Sequence, residues 1–259
     1  MTTYGGILMK LSKKVLIASA MMIACGFVFA QTSQVQKKNN SETETSVESE
    51  YLNDVDGDII MQLVDSDDFD SKLVALEFLA NAVDEGNTSD SVIQALDRLA
   101  GEGLTTQART NGRLMNNYPE IRAKACKIMA QVPTEHSKNT LISIAIADNE
   151  PMVIAAACKS LGEIGINEND EAIKAIAFAN KRNRILNPTS SLALEVLNAF
   201  ELLYDSTENK KSMIEEVSAI SSDYHYVTPV RQKAYNLLKK LSNNNSSDSK
   251  KSSKNSDAK

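Results

Sequence analysis

Only two histidines occur in the 259 residues of this chain. His136 sits in a Pro133-Thr134-Glu135-His136-Ser137 connection, and His225 lies between Tyr224 and Tyr226 in a loop ahead of Pro229. A metal site or a nucleophilic triad needs further ligands, or a partner that orients the base, at defined spacing. No cysteine or carboxylate stands at ligand spacing from either ring. Asp54-Val55-Asp56-Gly57-Asp58 has the alternating acids of a calcium loop. Such a loop wants glycine at its sixth position and glutamate at its twelfth, where this chain has Ile59 and Asp65. The stretch reads instead as a turn and helix cap before Ile59–Val64. There is no glycine-rich phosphate loop, nucleophile elbow or paired-cysteine motif. The residues thus offer no catalytic group, no cofactor-binding group and no metal ligand, and the chain is expected not to be an enzyme.

What remains is charge. Lys and Arg total 28 against 34 Asp and Glu, a net charge of −6. An acidic chain lacks the electrostatic footprint of a nucleic-acid binder and gains nothing from an anionic membrane surface. Two basic groups interrupt this balance. Arg109 and Arg113 lie in the Gly/Thr/Asn-rich stretch Gly101–Asn117, and Lys181, Arg182 and Arg184 lie in Asn180–Arg184. These five residues are the candidate docking points for an acidic protein partner, since long loops on rigid scaffolds often carry binding. The plainer account of the second group is that cations near a helix C-terminus complement its dipole.

The elements that must position these groups are helices. Leu73, Leu76, Leu79, Ala80 and Val83 fall at steps of three and four, as do Val153, Ala156, Ala157, Leu161 and Ile164. No stretch shows the alternation of a strand. Aromatics make up 5% and there is no Trp, so the core must be built from Ala, Leu, Ile, Val and Met. Four of the five prolines, Pro119, Pro151, Pro188 and Pro229, precede amphipathic runs. Asn187-Pro188 and Thr228-Pro229 read as a cap followed by the first helical residue, where a missing N–H is harmless. Pro133 follows a run ending at Val132 and reads as a stop.

Five segments align around a buried-type alanine: Lys72–Leu79, Arg122–Met129, Ile154–Gly162, Ser190–Leu197 and Arg231–Leu238. Their anchors are Ala75, Ala125, Ala157, Ala193 and Ala234, spaced by 50, 32, 36 and 41 residues. Each of the first four is followed by a second amphipathic run: Ser91–Ala100, Ser137–Ala147, Glu171–Ala179 and Lys210–Ile220. Units of this length that recur along a chain indicate a repeat array. The pattern resembles the HEAT family, in particular the short HEAT-like repeats of phycobilisome lyases. The best unit is Asn149–Ala179, where Pro151, Val153, Ala156, Ala157, Leu161, Gly162 and Ile164 match the family pattern; Pro119-Glu120-Ile121-Arg122 resembles its opening. The resemblance covers most of residues 67–241. It implies an all-α fold, an α-solenoid of about four to five helical hairpins whose concave face is lined by the second helices, and a protein-binding role. The variable spacings depart from even curvature. Cys126 and Cys158 take the same slot in adjacent units. Neighbouring helices lie roughly 8–10 Å apart, beyond the roughly 7 Å that a disulfide allows between Cα atoms, so both read as small core residues.

The ends read differently. Lys10, Lys13 and Lys14 precede an apolar run from Val15 to Phe29, with Val28-Phe29-Ala30 before Gln31. This is the pattern of a secretory signal peptide over residues 1–30, with Met9 as the better start. Met22-Ile23-Ala24-Cys25 resembles a loose lipobox, so membrane attachment enters only through lipidation of Cys25. Residues 31–50 and 242–259 are polar and low in complexity, and read as a disordered linker and tail; the folded domain spans 51–241. The expected protein is an exported HEAT-repeat scaffold, periplasmic or secreted, that binds another protein. The rival expectations are an accessory subunit or enzyme of the lyase-like branch, and a lipid-anchored envelope protein.

Overall fold

The computed structural model describes residues 57–256, with side chains through Ser242. The leader, the 31–50 linker, and Asp54 and Asp56 of the acidic motif lie outside the described residues. The described chain is predominantly helical: α1 (57–65), α2 (Phe69–Asp84), α3 (Asp90–Ala100), α4 (Pro119–Met129), α5 (Glu135–Ala147), α6 (Pro151–Ile164), α7 (Glu171–Leu186), α8 (Ser190–Leu203), α9 (Lys211–Ser222) and α10 (Thr228–Ser256). A short 3-10 turn, Glu168–Asp170, precedes α7. Among the described residues no helix is long and apolar enough to cross a membrane.

Local chemistry sets the helix ends. Asp68 caps α2 by accepting the Ser71 N–H at 2.9 Å, and that bond holds its carboxyl below the usual aspartate value. Thr134 caps α5 through Ser137 N–H at 3.1 Å. Pro119 and Pro151 open α4 and α6. α6 stops at Gly165, whose φ of +74° supplies the left-handed turn that glycine adopts without strain. Two proline placements differ from the sequence expectation. Asn187 ends α7 rather than capping α8, and Pro188 stands outside α8, which is preceded by Thr189. α10 begins at Thr228, so Pro229 sits one residue further into the first turn.

The helices pack in two rows. α2, α4, α6, α8 and α10 contact one another in that order, and α3, α5, α7 and α9 form the second row. All five anchor alanines lie in the first row at 0% exposure. The small side chain lets neighbouring helices approach, while Leu79, Met129, Leu161 and Leu197 fill the layer between them. Each such burial contributes about 1.5–3 kcal/mol. The approach is close where Gly162 of α6 meets α8, since a Cβ there would stand 2.8 Å from the Ala199 Cα. Cys126 and Cys158 are free and buried in this row, as their slot in the alignment implied. The last buried side chain of α10 is Leu241, and helical backbone continues through the polar run to Ser256.

The expectation that no strand occurs is also corrected. The 101–117 stretch contains a strand pair, β1 (Arg109–Thr110) and β2 (Arg113–Leu114), antiparallel with Arg109 opposite Leu114. Its turn is Asn111-Gly112, with φ of +51° and +79°. Positive φ at both central residues is what the type I′ turn of a two-residue hairpin requires, and Asn-Gly provides it.

Candidate functional site

The hairpin is held by a buried polar chain that local spacing does not reveal. Lys72 Nζ donates to the Val64 carbonyl at 2.6 Å and to Glu102 Oε2 at 3.0 Å. Asn116 Nδ2 donates to Glu102 Oε1 and to the Thr106 carbonyl, each at 2.7 Å, and its oxygen accepts the Ala108 N–H at 2.9 Å. Arg122 Nη1 donates to the Glu102 carbonyl and to Asn117 Oδ1, both at 3.0 Å. Burying polar groups costs free energy unless hydrogen bonds replace those to water, and these contacts supply them. The chain fixes both ends of the 101–117 segment and leaves the hairpin tip in solvent.

Arg109 and Arg113 are exposed on that tip. Arg109 folds back on its own hairpin, donating to Gln107 Oε1 at 3.0 and 3.2 Å and to the Gly112 carbonyl at 3.1 Å.

The other three candidates lie on α7 and separate by role. Lys181 is exposed. Arg182 reaches across to α5, donating to the Ile146 and Asp148 carbonyls; it serves the C-terminus of a neighbouring helix rather than its own. Arg184 faces Glu216 of α9 at 3.8 Å, and Glu216 also accepts from Asn180 at 2.8 Å. The structure thus does not assemble the five basic residues into one patch.

It brings together a different set. Lys174, Phe178, Lys181 and Ile185 form the outer stripe of α7 at steps of four, three and four, the spacing of one helix face. Phe178 is 51% exposed and Ile185 71%. Ile146 is exposed at the end of α5, where its carbonyl accepts from Arg182 of α7. The alanines and isoleucines of α7, Ala172, Ile173, Ala175, Ile176 and Ala179, occupy the opposite, buried side. Phe178 and Ile185 are therefore large apolar residues on the side that packing does not use. The signal for them was present in the sequence, but they merge with the core residues into one apolar run.

Each histidine has a carboxylate partner, which spacing alone did not announce. His136 lies in the first turn of α5 rather than in a connection; its Nε2 meets Asp97 of α3, which also accepts from Thr140 at 2.9 Å. His225 Nδ1 pairs with Asp223 at 2.7 Å. The His225 backbone N–H, then its ring, hold the Asp223 carboxyl below its usual range. Neither ring is hydrogen-bonded to a thiol or hydroxyl nucleophile among the described residues. No group of three or more His, Cys, Asp or Glu there is placed to hold a metal.

An open groove of 690 Å³ crosses α4, α6 and α8, and its lining includes Lys124, Lys127 and Lys159 as well as Glu120, Glu150 and Glu195. Its mixed charge selects no ligand.

No protein-family model matches the chain, and neither a curated protein nor a solved structure matches it.

Proposed function

We propose that this chain is an exported scaffold, an α-solenoid of HEAT-like hairpins, which binds another protein through the outer face of α5 and α7 and performs no catalysis of its own. The observation that carries the binding reading is the α7 stripe. Phe178 and Ile185 stand in solvent, and Lys174 and Lys181 flank Phe178 by one turn on either side. Exposed large apolar side chains grouped on a rigid element and rimmed by charge mark interaction sites. Aromatic anchors of this kind dominate the energy of protein interfaces. The lysines favour a partner with acidic residues beside an apolar stripe. The two-row packing and the buried anchor alanines support the repeat reading, since one hairpin cannot bury its apolar face alone.

Export is read from Lys10, Lys13, Lys14 and the apolar run that follows. The mass of the mature N-terminus tests it: a chain beginning at Gln31 supports the secreted form. An acylated Cys25 supports the lipid-anchored form, which Met22-Ile23-Ala24-Cys25 favours. An unprocessed leader defeats both.

The binding surface is tested by photo-crosslinking in intact cells, with benzoylphenylalanine at position 178 and, as control, at position 127 in the α4 groove. The expected result is a discrete cross-linked partner from position 178 only, lost on Lys181→Glu. No adduct from 178, or the same adducts from both positions, would refute the assignment.

A further inference from the structure

The repeat alignment assigns a neighbour to each face of a first-row helix. Ser160, three places after the α6 anchor, donates its hydroxyl to the Cys126 carbonyl of α4 at 2.8 Å. The position three after the anchor thus turns toward the preceding helix of the row. In α8 and α10 that position holds Val196 and Leu237, 0% and 5% exposed, and in α4 it holds Ile128, partly buried against the core. In α2 it holds Phe78, which is 49% exposed. Val74, one turn earlier on the same face, is exposed as well. No first-row helix precedes α2 among the described residues. An open groove of 320 Å³ lies there instead. Its lining draws on Gly57, Ile59 and Ile60 of α1, Phe78 and Ala82 of α2 and Val92 of α3, with Glu85 its one charged residue.

The described chain begins at Gly57, in the lining of this groove. Directly ahead of it stand Tyr51, Leu52 and Val55, three apolar residues in five, whereas residues 31–50 hold only Val35 and Val47. Val55 is four places before Ile59, Leu52 three before Val55, and Tyr51 four before Val55. Continued back from α1, these steps put all three on the helix face of Ile59, itself a half-exposed lining residue. Asn53, Asp54 and Asp56 fall between them. A segment joined to the groove this closely competes for it at an effective concentration on the order of millimolar, which a free partner would have to exceed.

We propose that Tyr51, Leu52 and Val55 of the same chain occupy this groove and cover Phe78. The segment takes the place that the preceding first-row helix has in the later units. Asn53, Asp54 and Asp56 supply the polar outer side that the terminal unit of a repeat array needs. The proposal rests on the repeat alignment and not on partner binding by α7, so the two fail separately.

The test is photo-crosslinking in the purified chain from Gln31, with benzoylphenylalanine at the half-exposed position 78. The expected result is an adduct within one chain to residues 51–55, located by tandem mass spectrometry. Adducts confined to Gly57 and beyond would overturn the proposal, as would adducts between chains or none at all. Urea unfolding gives a second readout without the probe. Tyr51→Ser combined with Leu52→Ser should lower the urea midpoint, and should lower it far less in a Phe78→Ser background, because residues in contact do not act additively. An equal loss in both backgrounds, or no loss in either, would show that the segment does not pack on Phe78.

Discussion

Arg122 of α4 grips Asp148, at the corner between α5 and α6, with two prongs: Nε to Oδ2 at 2.7 Å and Nη2 to Oδ1 at 3.3 Å. Both side chains are almost wholly buried, at 2% and 1% exposure. Asp148 Oδ1 also accepts the Glu150 N–H at 2.8 Å, at the start of α6. Arg122 continues to Glu102 and Asn117. One ion pair therefore ties two neighbouring helical units to the hairpin segment, and it does so in the bidentate geometry that suits guanidinium and carboxylate.

Removing one partner should be far worse than removing both. Arg122→Ala leaves a buried carboxylate without its counter-charge and is expected to destabilise by roughly 3–5 kcal/mol. Arg122→Met combined with Asp148→Asn should lose less than the sum of the two single changes, because the groups act as a unit. Urea unfolding of the five proteins, the wild type, Arg122→Ala, Arg122→Met, Asp148→Asn and the double variant, measures this. A loss below about 1 kcal/mol for Arg122→Ala would show that the pair is solvated rather than buried.

Gly162→Ala reads oppositely by local and by tertiary reasoning. In an exposed helix the change would gain about 1 kcal/mol of propensity. Here the new methyl meets Ala199 Cα at 2.8 Å, its Cβ at 3.1 Å and Leu202 Cδ1 at 3.3 Å. α6 and α8 must part to admit it, and overpacking of this kind typically costs about 1–3 kcal/mol. The expected outcome is a lower melting temperature. A higher one would mean that the crossing is looser than described.

The parts of this fold that could be read from sequence are those with short-range causes. Anchor alanines recur with leucines at helical steps, so the first row was visible residue by residue from Ala75 to Ala234. Prolines marked the starts of α4 and α6. The hairpin was written in Asn111-Gly112, but its strands are too short to show alternation. The polar chain was not legible, because Lys72 finds Glu102 at a separation of 30 residues and Arg122 finds Asp148 at 26. Helical periodicity says which face turns inward, not which charge waits there. The α7 stripe was hidden for a related reason: Phe178 and Ile185 extend an apolar pattern that only burial divides into a core side and a free side.

The two core thiols should be chemically silent in the folded protein. Burial pushes both Cys126 and Cys158 up to about 12, so almost no thiolate exists near neutrality, and thiolate is the reactive form. In the chain beginning at Gln31, iodoacetamide at pH 8 is expected to label neither cysteine without denaturant and both in urea. Mass spectrometry reads the adducts. Rapid labelling of the native protein would place α4 or α6 in an opening equilibrium that the packing does not suggest.

Asp170 offers a test by pH. It holds a left-handed conformation, φ +59°, ahead of α7. Its carboxylate accepts the Glu208 N–H at 2.9 Å and the Asn209 N–H at 2.8 Å, fixing the segment that leads into α9. Burial by itself would raise its pKa, but the Asn209 and Glu208 N–H groups, with Lys174 and Asn167, outweigh that and hold it below the ordinary value of 3.8. A carboxyl whose pKa is lower folded than unfolded stabilises the fold fully above the ordinary value. That contribution drains away as pH falls through the depressed one. Asp170→Asn keeps a side chain that tolerates the left-handed backbone but gives up the charged acceptor. It should cost about 1.5–3 kcal/mol at neutral pH, the worth of hydrogen bonds to a charged group. Urea unfolding of both proteins across a pH series should show the gap closing below pH 3.8, where the wild-type side chain takes up its proton. A gap that stayed constant with pH would mean that Asp170 acts through its shape alone, and that the charge on its two oxygens contributes nothing to the seam between α7 and α9.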